Sequence, residues 1–264
     1  LNFFLILLKT IYYLCIKIKK RKLMSIKNKR KYDLFITIII FPFWLIIVSI
    51  ITLLLFCSGH RPVFFSQMRV VSIGKEKRIF KFRSMNSQKV KRFIKTNNVI
   101  KQSQKGFMSI DPSSGVYTRI GKILESFKLV ELPEIFYVLT GDLSIVGNRP
   151  LPAYLQDKLE ENYPNSKKRL LTKAGILGVI QMVGRENFTP QERIKFEVQY
   201  SEYQFKNYSF KLDLIIIFLS ILRIFKFKLI KNKNDIYMIL KDKSFRNIGC
   251  LIKTKRIASK PAKQ

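Results

Sequence analysis

Between Leu34 and Gly59 the chain carries no charged residue, although Lys is abundant on either side. At about 1.5 Å of rise per residue, a helix of that length crosses the roughly 30 Å hydrocarbon core of a bilayer. Pro42 interrupts the run and removes one helical hydrogen bond. Both flanks are basic, with Lys27, Lys29, Arg30 and Lys31 before it and Arg61 and Arg69 after it. The positive-inside rule therefore favours both ends on the cytoplasmic face. A broken helix over residues 28–60 that dips into one leaflet and returns satisfies both facts. A straight span is the alternative.

Beyond this run the periodicity changes. Pro62-Val63-Phe64-Phe65 and Arg78-Ile79-Phe80-Lys81-Phe82 alternate and predict strands. Gln88 to Ser114 is polar and Lys-rich, a loop or weak helix over a site. Helical spacing returns from Arg119 to Leu139, with Pro133 near the start of its second part. Gly141-Asp142 and Gly147-Asn148 mark turns, and Pro190 opens a helix with Glu192 in its first turn. Leu212 to Leu222 is too short to span a membrane, so it predicts a core or an interfacial helix. The pattern gives a mixed α/β domain over residues 61–230 and a basic tail over 231–264.

Residues 1–27 form an N-terminal extension. Leu1 to Ile16 is apolar apart from Lys9, but its basic residues follow it and it shows no small-residue cleavage site, so the stretch does not read as a signal peptide. Met24 opens a plausible start, so this extension is either upstream translation or a weak membrane anchor.

Lys and Arg total 50 against 17 acidic residues, a net charge of +33. Such an excess predicts an anionic partner, although an AT-rich genome that over-uses Lys produces the same balance. Cys15, Cys57 and Cys250 are scattered without a CxxC, which fits a reducing compartment and no metal cluster. His60 is the only histidine, so the chemistry must come from carboxylates, Lys, Arg, Ser or Tyr. A nucleic-acid binder fits poorly, because of the apolar run and the lack of a helix-turn-helix, zinc or stacking motif.

Five segments form an ordered constellation: Lys81-Phe82-Arg83-Ser84-Met85, Glu131-Leu132-Pro133-Glu134, Gly141 to Pro150, Ala174-Gly175-Ile176-Leu177-Gly178, and Gln181 to Arg185. With the apolar run behind Lys29-Arg30-Lys31-Tyr32-Asp33, they resemble the bacterial sugar transferase family over roughly Asn28 to Lys228. These are monotopic polyprenyl-phosphate phosphoglycosyl transferases. The resemblance implies a re-entrant hairpin anchoring a small catalytic-type domain with amphipathic interfacial helices. It implies transfer of a phospho-sugar from a uridine-diphosphate sugar to polyprenyl phosphate, with Mg²⁺ and release of UMP. The implied place is the cytoplasmic face of the bacterial inner membrane, against anionic lipid, at the start of surface glycan synthesis.

Lys81, Arg83, Arg149 and Arg185 are fitting phosphate partners, Arg because its planar fork grips two oxygens, and the resemblance puts Arg149-Pro150 at the nucleotide. The same resemblance makes Glu131 a catalytic and Mg²⁺-holding carboxylate, and makes the residue before it the covalent nucleophile, an Asp. Here that residue is Val130, which cannot attack phosphorus. Glu134, three residues past Glu131, shares its face in a helix and is the nearest substitute carboxylate.

Further departures are Ser114 and Val116 in place of an Asp-x-Arg, and Glu125 in place of a basic residue. Asn148 and Ala174 each stand in place of Pro, and Pro42 comes one helical turn early. Together they predict erosion of activity on a retained scaffold, so the alternative to an active transferase is an impaired member that binds membrane and nucleotide sugar as a scaffold or regulator.

Overall fold

The computed structural model of the chain describes residues 26–59, 61–96, 110, 114–184 and 187–225. The extension up to residue 25, most of the polar segment over 97–113, Arg185 and the tail over 231–264 lie outside these residues.

The apolar run forms one helix, α1 (Lys27–Cys57, 31 residues), with Pro42 inside it. It is long and apolar enough to cross a membrane by length and composition. The segment expected to dip and return over residues 28–60 is one continuous helical element. The physical reason is periodic contact. Lys29, Asp33, Thr37, Ile51 and Leu55 are buried, Phe41, Trp44 and Val48 are half-buried, and all lie three or four positions apart. One stripe therefore rests on the domain along the whole helix, and the hydrogen bond lost at Pro42 is a local cost. The opposite face exposes Phe35, Ile38, Phe43, Ile46, Ile50 and Leu53, each more than half accessible.

Both ends of α1 are fastened. At the start, Lys29 Nζ pairs with Asp213 Oδ2 at 2.5 Å, and Asp33 accepts bonds from Ser144 Oγ (2.8 Å) and the Ile145 amide (3.2 Å). Arg30 donates to the carbonyls of Val138 and Leu139 (2.6 Å to the latter), closing the C-terminal turn of a later helix where a cation is favoured. At the other end, Ile51 and Leu55 pack with Phe82, Leu124 and Val130.

Strands β1 (Phe64–Ser72) and β2 (Lys75–Phe82) form an antiparallel hairpin, longer than the alternating runs suggested, and Gly74 turns it at φ +66°. After α2 (Ser87–Thr96) comes α3 (Arg119–Ser126), capped by the Thr118 hydroxyl accepting from the Gly121 amide at 2.9 Å. A 3₁₀ turn (Leu129–Glu134) runs into α4 (Ile135–Thr140). Strand β3 (Ser144–Val146) pairs in parallel with β4 (Gly175–Leu177), and α5 (Ala153–Asn162) and a 3₁₀ turn (Ser166–Leu170) lie between them. Helix α6 (Pro190–Lys206) starts with a reciprocal cap between Thr189 and Glu192, and α7 (Phe210–Ile224) follows.

The largest core cluster joins Val146, Val179, Val183, Phe196, Tyr200, Leu212, Ile216 and Leu219. The short apolar stretch over Leu212 to Leu222 is therefore core, the first of its two predicted roles. Its Asp213 is buried and carries a polar seam, taking bonds from Tyr200 Oη (3.1 Å) and Gln204 Nε2 (2.7 Å) beside Lys29. Burial raises the Asp213 pKa, and Lys29 opposes that shift.

Candidate active site

The 3₁₀ turn decides which way the central motif faces. With three residues per turn, side chains at i and i+3 eclipse. Glu131 and Glu134 therefore share one side, while Val130 and Pro133 share another and are buried. Val130 fills the apolar cluster of Ile51, Leu55, Phe82 and Leu124. Trp44 of α1 donates Nε1–H to the Leu132 carbonyl at 2.7 Å, fixing the turn against the apolar helix.

Around the two carboxylates stand three cations. Glu131 is ion-paired with Arg149, and Lys81 Nζ lies 3.9 Å from Glu134. Arg69 donates to the Pro150 carbonyl at 3.0 Å, one residue past Arg149. Burial works against the Arg149 charge, but Glu131 beside it holds the guanidinium pKa above its ordinary value. Burial, with the nearby Arg149 charge, lowers Lys81 to about 8. Burial and the neighbouring Glu131 raise Glu134, whose Oε2 has no hydrogen-bond partner. The arrangement can neutralise a phosphate and exchange a proton near neutral pH.

The Arg149 turn is held from behind. At the crossing of β3 and β4 the backbones nearly touch: a Cβ on Gly175 would lie 2.1 Å from the Gly147 amide nitrogen. Asn148 Nδ2 lies 2.8 Å from the carbonyls of Arg169 and Glu197 and from Ser201 Oγ. Arg169, fully buried, binds Glu197 Oε2 (2.8 Å), Gln156 Oε1 (3.0 Å) and the Arg149 carbonyl (2.8 Å). Asp142 in the preceding turn holds Lys75 and Lys77 at 2.9 and 3.0 Å. Burial opposes its charge, but hydrogen bonds from those lysines lower its pKa to about 2. Those pairs tie the turn to the β1–β2 hairpin.

Of the residues expected at the site, Lys81, Glu131, Arg149 and Pro150 meet. Arg83 does not join them: its guanidinium donates to Ser87 Oγ, and its Nε is buried without a partner. Arg185 lies outside the described residues. Glu134, weighed only as a substitute carboxylate, is a full member. Arg69 was missed, because the alternating run ends at Phe65 and only the register of the folded hairpin places it. With Phe65 opposite Lys81 and Arg69 opposite Lys77, Arg69 and Lys81 share one face of the hairpin.

Two departures from the family pattern are built into the fold rather than eroded. The Asn148 side chain joins three chain segments, and the Ala174 amide donates to the Val71 carbonyl at 2.8 Å, which a proline could not do. Val116 is a core residue, and Glu125 pairs with Lys128 at 3.2 Å.

A cluster of paired carboxylates and cations is thus seated against a helix long and apolar enough to cross a membrane. The chain belongs to the bacterial sugar transferase family, which matches residues 24–227. Over 196 residues it is 32% identical to the UDP-N-acetylgalactosamine-undecaprenyl-phosphate N-acetylgalactosaminephosphotransferase of Aeromonas hydrophila, covering 73% of this chain and 42% of that protein. It is 33% identical over 198 residues to the undecaprenyl-phosphate galactose phosphotransferase of Salmonella typhimurium, covering 72% and 39%. The exopolysaccharide production protein ExoY of Sinorhizobium fredii is 27% identical over 201 residues, covering 74% of this chain and 84% of that protein. The chain thus spans about two fifths of the length of the first two relatives.

Proposed function

We propose that this protein transfers a phospho-sugar from a uridine-diphosphate sugar to polyprenyl phosphate, releasing UMP, as an initiating step of bacterial surface glycan synthesis. The observation that carries this reading is the meeting of Lys81, Glu131, Glu134 and Arg149, drawn from three separate motifs, on a turn bonded to the apolar helix. Relatives named for undecaprenyl-phosphate sugar phosphotransfer support it.

Val130 faces the apolar cluster and Glu131 is held by Arg149, so the route proposed here uses no protein nucleophile. An oxygen of the lipid phosphate attacks the sugar-bearing phosphorus, the bond to the UMP oxygen breaks, and UMP leaves with the electron pair. Lys81 and Arg149 offset the repulsion between the two anions and the charge on departing UMP. Mg²⁺ characteristically takes one or two carboxylates plus substrate phosphate oxygens. Glu131 and the unpartnered Oε2 of Glu134 fit that pattern and would hold it, where it would add charge neutralisation at the diphosphate.

The membrane reading is monotopic. Both ends of α1 pack on the same domain, so they belong on one side of a bilayer. Exposed Ile123 and Phe127, beside Lys122 and Lys128, suit an interfacial position against anionic lipid on the cytoplasmic face of the inner membrane.

The test is UMP release by membrane fractions of the native chain, given polyprenyl phosphate, Mg²⁺ and a panel of uridine-diphosphate sugars. Release that disappears in Arg149→Gln and Lys81→Gln is expected. No release from the native chain, with release from Val130→Asp, would refute direct transfer and leave a binding scaffold.

A further inference from the structure

Arg69 is the cation of the cluster that has no carboxylate. Among the described residues, Lys81 lies near Glu134, Arg149 pairs with Glu131, and the buried Arg169 and Arg193 share Glu197. Arg69 instead donates to two neutral oxygens, the Pro150 carbonyl (3.0 Å) and Gln67 Oε1 (2.7 Å). A guanidinium carries five N–H donors, so three remain unspent on a side chain only partly open to water. A partly buried charge left this way is costly until an anion meets it.

Three placements put that anion at the cluster. Strand register sets Arg69 on the face of Lys81. Its bond to Pro150 sets it beside the Arg149 turn. Its electrostatic neighbours are Arg149, Glu134 and Glu131. Three cations against two carboxylates leave the site positive even with both acids ionised, which suits a multiply charged phosphate group.

We propose that Arg69 binds the diphosphate of the nucleotide sugar directly, as a third phosphate ligand beside Lys81 and Arg149. The proposal rests on the function proposed above and names the part of the substrate that Arg69 would hold. A planar fork there can take two phosphate oxygens while its bond to Pro150 keeps Arg149 in register.

The experiment is calorimetric titration of the full chain in detergent with UDP, with uridine as a phosphate-free control. Arg69→Gln is expected to weaken UDP binding about tenfold or more, the scale of a charge-assisted hydrogen bond, and to leave uridine binding unchanged. The surface control Lys167→Gln, at an exposed lysine away from the cluster, should bind UDP like the native chain. A direct ligand produces the same loss in an Arg149→Gln background, whereas a residue acting only by positioning Arg149 produces none there. Unchanged UDP binding in Arg69→Gln, or no further loss in that background, overturns the proposal. If Arg69→Gln does not fold, Arg69→Lys decides, because loss of the fork should still weaken UDP binding and native affinity would overturn the idea. A native chain that ignores UDP overturns the reading of the site itself, an outcome distinct from the failure of Arg69.

Discussion

Replacing Glu197 with Gln separates charge from shape in the scaffold behind the site. Glu197 is buried, with Oε2 2.8 Å from Arg169 Nε and Oε1 3.2 Å from Arg193 Nε. Gln keeps the volume, but its amide can accept from only one guanidinium and turns its own N–H donors on the other. Two buried cations then share no anion. Breaking a buried pair by removing one partner costs about 3–5 kcal/mol. At roughly 2–4 °C per kcal/mol for a domain of this size, the melting midpoint should fall by about 6–20 °C. Thermal unfolding in detergent measures it.

The acid limb gives a second readout. Burial would raise the Glu197 pKa, but Arg169 and Arg193 outweigh it and hold the carboxyl below its usual 4.5. A depressed folded pKa contributes stability above the unfolded value, and this is lost as pH falls through the folded value. The native chain should therefore lose stability below about pH 4.5 more steeply than Glu197→Gln. A midpoint shift under about 2 °C, or identical acid limbs, would refute the reasoning.

Other expectations follow from single contacts. Ala174→Pro restores the family's residue yet deletes the amide bond to Val71, so it should destabilise by about 1–3 kcal/mol in chemical unfolding. Gly175→Ala places a methyl 2.1 Å from the Gly147 nitrogen, and loss of folded protein on expression is expected. Lys81, lowered to about 8, is charged below that pH and neutral above it. UDP affinity should therefore fall as pH rises through 8, and Lys81→Arg should flatten that profile.

Much of the fold is legible locally. An uncharged run from Leu34 to Gly59 is long enough for one apolar helix, and it became α1. The Thr189-Pro190 and Glu192 pattern began α6 where local capping chemistry requires. Lys81, Glu131, Arg149 and Pro150 were expected together because motif order and spacing resemble the family, and the fold brings them together. The helix continues through Pro42 because proline's local penalty is small beside a contact stripe running the length of the helix.

Sequence by itself determined which segments are apolar, where elements start, and which residue types can meet a phosphate. Tertiary structure decided the partners. Lys29 and Asp213 are 184 positions apart, and nothing in either neighbourhood specifies the other. Val130 is one residue from Glu131, yet 3₁₀ geometry turns it into the core while Glu131 faces Arg149. Arg69 is one Arg among many in a basic chain, and only strand register and the carbonyl of Pro150 single it out. Periodicity reports the environment of a face, whereas a site depends on which faces the packed chain brings together.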